Sequence, residues 1–555
     1  MNRRRFFHLV ARSAGVAAQA GMATAFFAET KRQGPRGGVL GMYVHEGWPY
    51  KHPYAARTWT VDDWRGYADG LKKLGYNLLV IWPALETMPE PLTPSDHACL
   101  ERTAKVIDVL HREFDMLAFL TLCPNVVARN DVAARSSFEQ RYYYTSTAFL
   151  NPTDRQAVAK MMKWREKLLR PLANMDGIAI IDSDPGGYPG STNDDFVNLL
   201  AEHRKMLDRL RPGIELYYWM HVGWEAYSHY YATGEFSWGT PAASEDILTR
   251  LQKANLRPWG ITIHTLDPPP NGTDLDLARR HGLASTALAF NYGAIEGEPS
   301  FPMTRFGGNA AFKAGGAVAP RGVVGNARTH CAQLPNTFAF ARGAQGRPVA
   351  ESDYIEFADK LIAGQGHLIV RAWQVLESRD SNLMRDVVGN LEGLSHESLT
   401  PGPLRGLLFG NPQRFITDLI YELRMKAAYL DLVAASQDKV DREKFRAFLA
   451  ATKAWQEVHG YQTVWFVSGW PGLEATLRKL KSPAINRLLD EADWTRISLT
   501  ATGNTPFECL QDFFRKWDNH TPRLIEAMSA ALQDLEKAQG RASLSCPSGN
   551  NISPV

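Results

Sequence analysis

The 555-residue sequence has few cysteines and lacks the short motifs from which many enzymes are assigned. Its cysteines, Cys99, Cys123, Cys331, Cys509 and Cys546, are scattered without a Cys-x-x-Cys pair, so neither a zinc knuckle nor a disulfide framework is predicted. Phosphate-loop, serine-triad and His-Glu-x-x-His signatures are also missing. Any catalytic site must therefore be inferred from residues that are far apart in the sequence.

Neither charge nor hydropathy indicates a nucleic-acid or lipid partner. The chain carries 62 basic and 59 acidic residues, a formal net charge of +3, and shows no basic patch of the kind that binds nucleic acid. No segment beyond the N-terminus has the roughly 18 uninterrupted apolar residues of a membrane span. We predict no nucleic-acid partner and no membrane span, and the oligomeric state stays open.

The first 28 residues resemble a twin-arginine export signal. Arg3 and Arg4 precede Phe6, and an alanine-rich, mildly apolar stretch follows as far as Ala28. The resemblance implies that the folded protein crosses a bacterial inner membrane, and hence a periplasmic or secreted location. Because four arginines leave with this signal, no positive excess remains on the mature chain.

From about residue 37 to residue 345, strand-like and helix-like segments alternate. Thr60 to Leu74 is a typical helical segment, with apolar residues at helical spacing after a threonine cap. Eight alternations predict an α/β fold, a (β/α)₈ TIM barrel. An open, doubly wound sheet would usually place a glycine-rich phosphate turn after the first strand, which this sequence lacks. The predicted strands are residues 39–45, 77–82, 116–122, 177–181, 215–221, 260–264, 285–291 and 322–329.

From about residue 350 the strand-like runs nearly vanish and helical periodicity takes over. We predict an all-α domain over residues 350–540 that packs on the barrel. Residues 541–555 are rich in serine, glycine, proline and asparagine and are predicted to be a disordered tail.

The end of the fourth predicted strand carries the strongest candidate for catalysis. The apolar run Gly177–Ile181 stops at Asp182 and Asp184, which a Pro-Gly-Gly turn follows. In TIM barrels the chemistry is done at the C-terminal ends of the strands, so we interpret the two acids as a catalytic pair. Glu296, after the seventh strand, is a further catalytic candidate. The alternative for Asp184 is a structural role, since Asp before Pro favours a turn.

The other strand ends are rich in aromatic and polar residues. Carbohydrate sites need both, because aromatic faces pack on sugar rings and polar groups bind hydroxyls. We expect Trp48 and Trp219 to form the floor of such a site. The predicted substrate-binding residues are Glu46, Trp48, Tyr218, Trp219, His221, His264, Asn291, Tyr292 and His330.

This combination resembles the glycoside hydrolases that join a (β/α)₈ barrel to a C-terminal helical domain, above all the hexosaminidase-like and α-glucuronidase-like families. In the hexosaminidase-like enzymes an adjacent acid pair closes strand four. The resemblance implies that Asp182 orients a substrate acetamido group, that Asp184 protonates the leaving oxygen, and that no cofactor is needed. Here Ser183 separates the two acids, and the second is Asp where Glu is common. The implied activity is hydrolysis of an oligo- or polysaccharide.

Two alternatives stay open at this point. His45, His221, His264 and His330 end four of the strands, and with a carboxylate they could hold a divalent metal in an amidohydrolase-like hydrolase. That family's His-x-His pair on strand one, lysine on strand four and aspartate on strand eight are missing here. The other alternative is a non-catalytic, carbohydrate-binding barrel.

Overall fold

The computed structural model describes residues 38–183, 185–237, 239–257, 259–264, 270–291, 319–327, 334–395, 398–460, 470–492 and 505–544. The predicted export signal lies outside the described residues. The last helix ends at Leu544, and the remainder of the predicted tail, 545–555, is likewise outside them.

Eight parallel strands close into a barrel, which confirms the predicted fold class. Each predicted strand is present, with its ends displaced by no more than three residues. Neighbours around the barrel follow the order β1, β2, β3, β6, β7, β8, β9, β10 and back to β1. The barrel strands are β1 Val39–His45, β2 Leu78–Trp82, β3 Leu117–Leu122, β6 Gly177–Ile181, β7 Glu215–Trp219, β8 Trp259–His264, β9 Leu288–Asn291 and β10 Gly322–Ala327.

A small hairpin is inserted after β3. Its strands, β4 (Val126–Ala128) and β5 (Thr147–Phe149), pair in antiparallel register. The chain between them folds into two single-turn helices, Asn130–Ala133 and Tyr143–Ser146. The sequence did not predict these strands, because three residues are too few to show alternation.

The barrel interior is filled by side chains that alternate along each strand. Tyr43 on β1 meets Trp219 on β7 and Phe290 on β9, with ring centroids 5.3 and 5.7 Å apart, and Trp219 lies 4.3 Å from Phe290. Because side chains two positions apart point to the same face of a strand, His45 continues the inward row of Tyr43. The C-terminal end of the barrel is therefore formed above this aromatic layer.

Two of the helices between the barrel strands start at well-formed caps. Thr60 and Thr93 each form a capping box with the aspartate three residues later, which satisfies backbone N–H groups at the helix start. Among the described helices, none is long and apolar enough to cross a membrane. In chain order, and including the two single-turn helices, they are α1 Val61–Leu74, α2 Pro94–Phe114, α3 Asn130–Ala133, α4 Tyr143–Ser146, α5 Arg155–Leu169, α6 Asn193–Leu210, α7 Trp224–Thr233, α8 Pro241–Ala254, α9 Pro270–Arg280, α10 Leu334–Ala344, α11 Glu351–Leu361, α12 Gly366–Glu377, α13 Ser381–Ser395, α14 Pro412–Ala435, α15 Arg442–His459, α16 Leu473–Arg478, α17 Pro483–Ala492, α18 Pro506–Trp517 and α19 His520–Leu544.

The helical region shares its core with the barrel. One continuous apolar core runs from Leu40 on β1 to Ala427 in α14, and a second core begins at Met425 in the same helix and continues to α19. Helix α1 approaches the helical region so closely that a side chain at Gly406 would overlap the backbone of Gly66. The predicted division near residue 345 stays a prediction.

Candidate active site

Aromatic side chains converge at the C-terminal ends of β1 and β2. The imidazole of His45 stacks on Trp48, with centroids 5.3 Å apart and planes 4° from parallel. The His45 and Trp82 rings also meet edge to face, with centroids 4.2 Å apart. Tyr144, from the loop after β3, lies 6.0 Å from Trp48. Trp48 and Tyr144 are half-buried, so the structure brings the predicted Trp48 into an aromatic cluster at the barrel mouth.

The position of the His45 ring depends on Gly47. The backbone N–H of Gly47 donates to His45 Nδ1 over 2.8 Å. A Cβ at residue 47 would overlap the Cε1 atom of the imidazole, so only glycine allows this approach. Because Nδ1 accepts this hydrogen bond, the neutral ring carries its proton on Nε2. His45 therefore presents an N–H donor at Nε2 rather than a lone pair for a metal.

A buried carboxyl group, that of Glu86, lies beside this aromatic cluster. Its Oε2 accepts the indole N–H of Trp82 over 3.2 Å, and its Oε1 accepts the backbone N–H of Cys123 over 2.6 Å. The residue is 4% exposed. Burial raises the pKa of Glu86, while the charge of Arg165 and the two N–H donors oppose that rise. A carboxyl group with a raised pKa keeps its proton to higher pH, as a general acid must.

The side chains next to Glu86 at the end of β3 are neutral. Tyr143 donates its hydroxyl to Cys123 Sγ over 3.3 Å, and burial raises the pKa of both groups well above their usual values. Arg165 holds the backbone in place by donating to the carbonyl oxygens of Cys123 and Val126, over 2.6 and 2.9 Å. Within the described part of the chain, Arg165 is thus the charged group that acts on Glu86.

Asp182, the first acid of the predicted pair, has a different environment. It is 1% exposed. Its Oδ2 accepts the hydroxyl of Tyr218 over 2.9 Å, and its Oδ1 accepts from the Ser183 hydroxyl and from the backbone N–H groups of His221 and Gly223. Three of these donors share Oδ1, and the fourth uses Oδ2. The structure thus shows Asp182 as a hydrogen-bond acceptor that ties β6 to the turn after β7.

Two predicted substrate contacts on β7 lie on opposite sides of the barrel wall. Trp219 faces inward and packs against Tyr43 and Phe290. Tyr218 faces outward, 1% exposed, with its ring against Phe196 of α6 and its hydroxyl on Asp182. The structure therefore brings Trp219 to the barrel interior and does not bring Tyr218 to the mouth.

Glu46 is also buried away from the aromatic cluster. It lies near Arg57, Arg102 and Glu139, and Arg102 belongs to α2. Burial raises the pKa of Glu46, and the two arginines oppose this. The structure places Glu46 against the surrounding helices rather than beside His45.

The remaining predicted residues are described only in part. His221, half-buried, directly follows Met220 after β7. His264 and Asn291 are the last residues of β8 and β9, but their side chains lie outside the described residues. The same holds for the whole of Asp184, Tyr292, Glu296 and His330. Their predicted roles stay predictions.

The metal hypothesis also stays a prediction. In the part of the chain that the structure describes, no three His, Cys, Asp or Glu side chains are arranged to hold a metal ion. Of the four predicted ligands, His45 has its Nδ1 bonded to Gly47 N–H, which does not fit metal binding through Nε2 in the neutral ring.

No catalytic role was predicted for Glu86 from the sequence. The available signal was its position four residues after Trp82, at the end of the second strand. What distinguishes it is burial and a hydrogen bond from Cys123, which is 37 residues away in the chain. Neither property is visible in a single sequence.

Comparisons with known proteins find no relative by sequence and only distant similarity to solved structures. No protein-family model and no curated protein matches the sequence. Among solved structures it is similar to a GH138 enzyme targeting pectin rhamnogalacturonan II, with 8% identity, a TM-score of 0.41 and coverage of 86% of this chain and 66% of that one. A Paenibacillus cycloisomaltooligosaccharide glucanotransferase follows, with 12% identity, a TM-score of 0.33 and coverage of 48% and 39%.

A D-psicose 3-epimerase is also similar, with 12% identity, a TM-score of 0.29 and coverage of 52% of this chain and 84% of that one. The chain thus spans just under two thirds of the first of these structures and about two fifths of the second. At such identities and TM-scores, the similarity assigns neither a family nor an activity.

Proposed function

We propose that the protein is a glycoside hydrolase that acts on an oligo- or polysaccharide, with Glu86 as its general acid. The observation that carries the proposal is the buried carboxyl group of Glu86, whose pKa is raised by burial, beside the aromatic cluster at the C-terminal end of the barrel. TIM-barrel enzymes keep their active sites at this end.

The aromatic cluster suits a sugar ring. Trp48 and Tyr144 are half-buried, and such rings pack on the apolar faces of sugars while the surrounding polar groups bind hydroxyls. The Nε2–H of His45 adds a hydrogen-bond donor fixed by Gly47. The cluster thus combines the two kinds of contact that a carbohydrate requires.

In the proposed mechanism Glu86 donates its proton to the glycosidic oxygen as the bond to the anomeric carbon breaks. The transition state has oxocarbenium character, and a second carboxylate either attacks the anomeric carbon or activates a water molecule. Asp184 and Glu296, predicted from the sequence, are the candidates for that second group. Once Glu86 is ionised, Arg165 and the two N–H donors stabilise the carboxylate.

The experiment is an assay of the purified full-length chain on aryl glycosides and on a panel of plant and bacterial polysaccharides. The proposal predicts turnover that Glu86→Gln abolishes or strongly reduces. Glycan binding without turnover in the native protein would instead favour the carbohydrate-binding barrel. Stoichiometric zinc, iron or manganese in the purified protein, with activity lost on chelation, would favour the metal-dependent hydrolase.

We also propose export through the twin-arginine route to the periplasm or beyond. The support is the Arg3-Arg4 pair ahead of Phe6 and the alanine-rich stretch that follows. Fusing residues 1–40 to a reporter that is active only after export tests this proposal. Replacing both arginines by lysine should keep the reporter in the cytoplasm, whereas unchanged export would contradict the proposal.

A further inference from the structure

Three consecutive backbone N–H groups after β7 are held by two side chains at the end of β6. Asp182 Oδ1 accepts from the N–H groups of His221 and Gly223, each over 3.2 Å. Ser183 Oγ accepts from the N–H of Val222 over 3.0 Å and donates to Asp182 Oδ1 over 2.8 Å. The two residues that follow β6 therefore hold the turn that follows the neighbouring strand, β7.

The turn leads directly into helix α7. Gly223 has a φ of +109°, which favours glycine, and it precedes the first residue of α7 without a side-chain cap. The carboxylate of Asp182 lies at the start of α7 and is favourable there, because a helix N-terminus attracts negative charge. On the far side, Gly239 N–H donates to the carbonyl oxygen of Val222 over 2.9 Å.

His221, the first residue of this turn, lies at the same height along the barrel axis as His45. The rings of Tyr43 on β1 and Trp219 on β7 are in contact inside the barrel. His45 is two residues beyond Tyr43, and His221 is two residues beyond Trp219. His221 is thus placed at the C-terminal end of the barrel, at the same level as the imidazole of the aromatic cluster.

We propose that Asp182 and Ser183 are positioning residues that hold His221 for a hydrogen bond to a hydroxyl group of the bound sugar. This deepens and rests on the proposed function. Asp182 acts through the backbone of residues 221–223, so its contribution is the place of the imidazole and not its own proton. Of the predicted acid pair, Asp182 is then a positioning residue, and Asp184 is the member that stays a catalytic candidate.

The first test needs no substrate. In protein labelled on histidine, the NMR signals of His221 are assigned with His221→Gln and followed through a pH titration. We expect Asp182→Ala to shift or broaden them, because a methyl group accepts neither of the bonds from the His221 and Gly223 N–H groups. Tyr218→Phe is the matched control, since it removes a bond from the same carboxylate but none from the turn, and it should leave the His221 signals in place. Unchanged His221 signals in Asp182→Ala would overturn the proposal.

The second test uses kinetics on a substrate that the native protein cleaves. We expect Asp182→Ala and His221→Gln each to lower kcat/KM by about 10- to 100-fold, the scale of a misplaced binding group. The double variant should lose little more than either single variant, because both remove one contact. Losses that multiply would show that Asp182 acts independently of His221.

Ser183→Ala keeps the inference testable if Asp182→Ala does not fold. It removes the bond from the Val222 N–H and the bond to Asp182 Oδ1 but leaves the bonds from His221 and Gly223, so it should move the His221 signals in the same direction by a smaller amount. If no substrate is ever cleaved, the proposed function fails, while the NMR titration still decides whether Asp182 positions His221.

Discussion

Glu86 and Asp182 are both buried carboxyl groups at the C-terminal end of one barrel, yet their surroundings differ. Glu86 accepts the N–H groups of Trp82 and Cys123 and lies near the charge of Arg165, and burial raises its pKa. Asp182 accepts from four donors, two of them backbone N–H groups. In the proposed function this difference separates the two roles: Glu86 is suited to hold and release a proton, and Asp182 is suited to hold the backbone.

Glu86→Gln gives the strongest test of this difference. Loss of a general acid lowers kcat by about 10²- to 10⁴-fold, and the loss should be smallest for aryl glycosides with good leaving groups. The alkaline limb of the pH–rate profile should disappear as well. Glu422→Gln is the matched control, because Glu422 is another buried glutamate whose pKa burial raises well above the usual value, on α14. Equal losses in both variants would mean that Glu86 is structural.

Asp518 extends the comparison to the helical region. It is buried, it accepts the N–H and the hydroxyl of Thr145 over 2.6 Å each, and burial raises its pKa to about 7. The folded pKa lies above the unfolded one. The stability that the protonated group contributes is therefore fully present below about pH 4 and is lost as pH rises through about 7.

We expect thermal unfolding of Asp518→Asn to be less dependent on pH between 4 and 8 than that of the native protein. The difference between the two pH profiles should amount to at most about 4 kcal/mol over this range. Asp512→Asn, an exposed change on helix α18, which ends one residue before Asp518, is the control and should follow the native profile. Parallel profiles for the native protein and Asp518→Asn would rule out the raised pKa.

Gly47→Ala tests whether the position of the His45 ring matters for substrate binding. The new methyl group overlaps the imidazole, so the ring must move and lose its bond from the Gly47 N–H. We expect KM to rise by about 10- to 100-fold, with a loss of stability of about 1–3 kcal/mol. Gly389→Ala, where the methyl group meets no neighbour, should leave KM unchanged. An unaltered KM for Gly47→Ala would show that His45 does not contact the substrate.

Tyr218→Phe has the smallest expected effect and separates two roles. The structure gives Tyr218 a hydrogen bond to Asp182, so we expect a stability loss of about 1.5–3 kcal/mol, typical of a bond to a charged group, with little change in KM. Tyr429→Phe, which loses a bond to the carbonyl oxygen of Pro471, should cost about 1 kcal/mol. A large rise in KM for Tyr218→Phe would restore its predicted contact with the sugar.

The barrel could be predicted because its strands are short apolar runs between capped amphipathic helices. Each of these signals is local, and β1 and β6 have the predicted bounds. The hairpin of β4 and β5 could not be predicted, because strands of three residues show no period.

The site could be predicted only in part, since its contacts join distant residues. Asp182 was correctly located at the end of a strand, but its partners come from a turn about 40 residues later. The alternation along β7 implies that Tyr218 and Trp219 face opposite sides. Which of them faces inward follows from the register with β6 and β8, and a single sequence does not contain that register.

Helix α14 belongs to two cores at once. Over its 24 residues, about 36 Å of helix, its first part packs into the barrel core and its second part into that of the C-terminal helices. Because both cores include side chains of this helix, displacing it would expose apolar surface in both. A fragment ending at the barrel would therefore leave part of its own core uncovered. The two regions are therefore coupled in folding. A unit that can be exchanged between proteins must include helix α14 as well as the barrel.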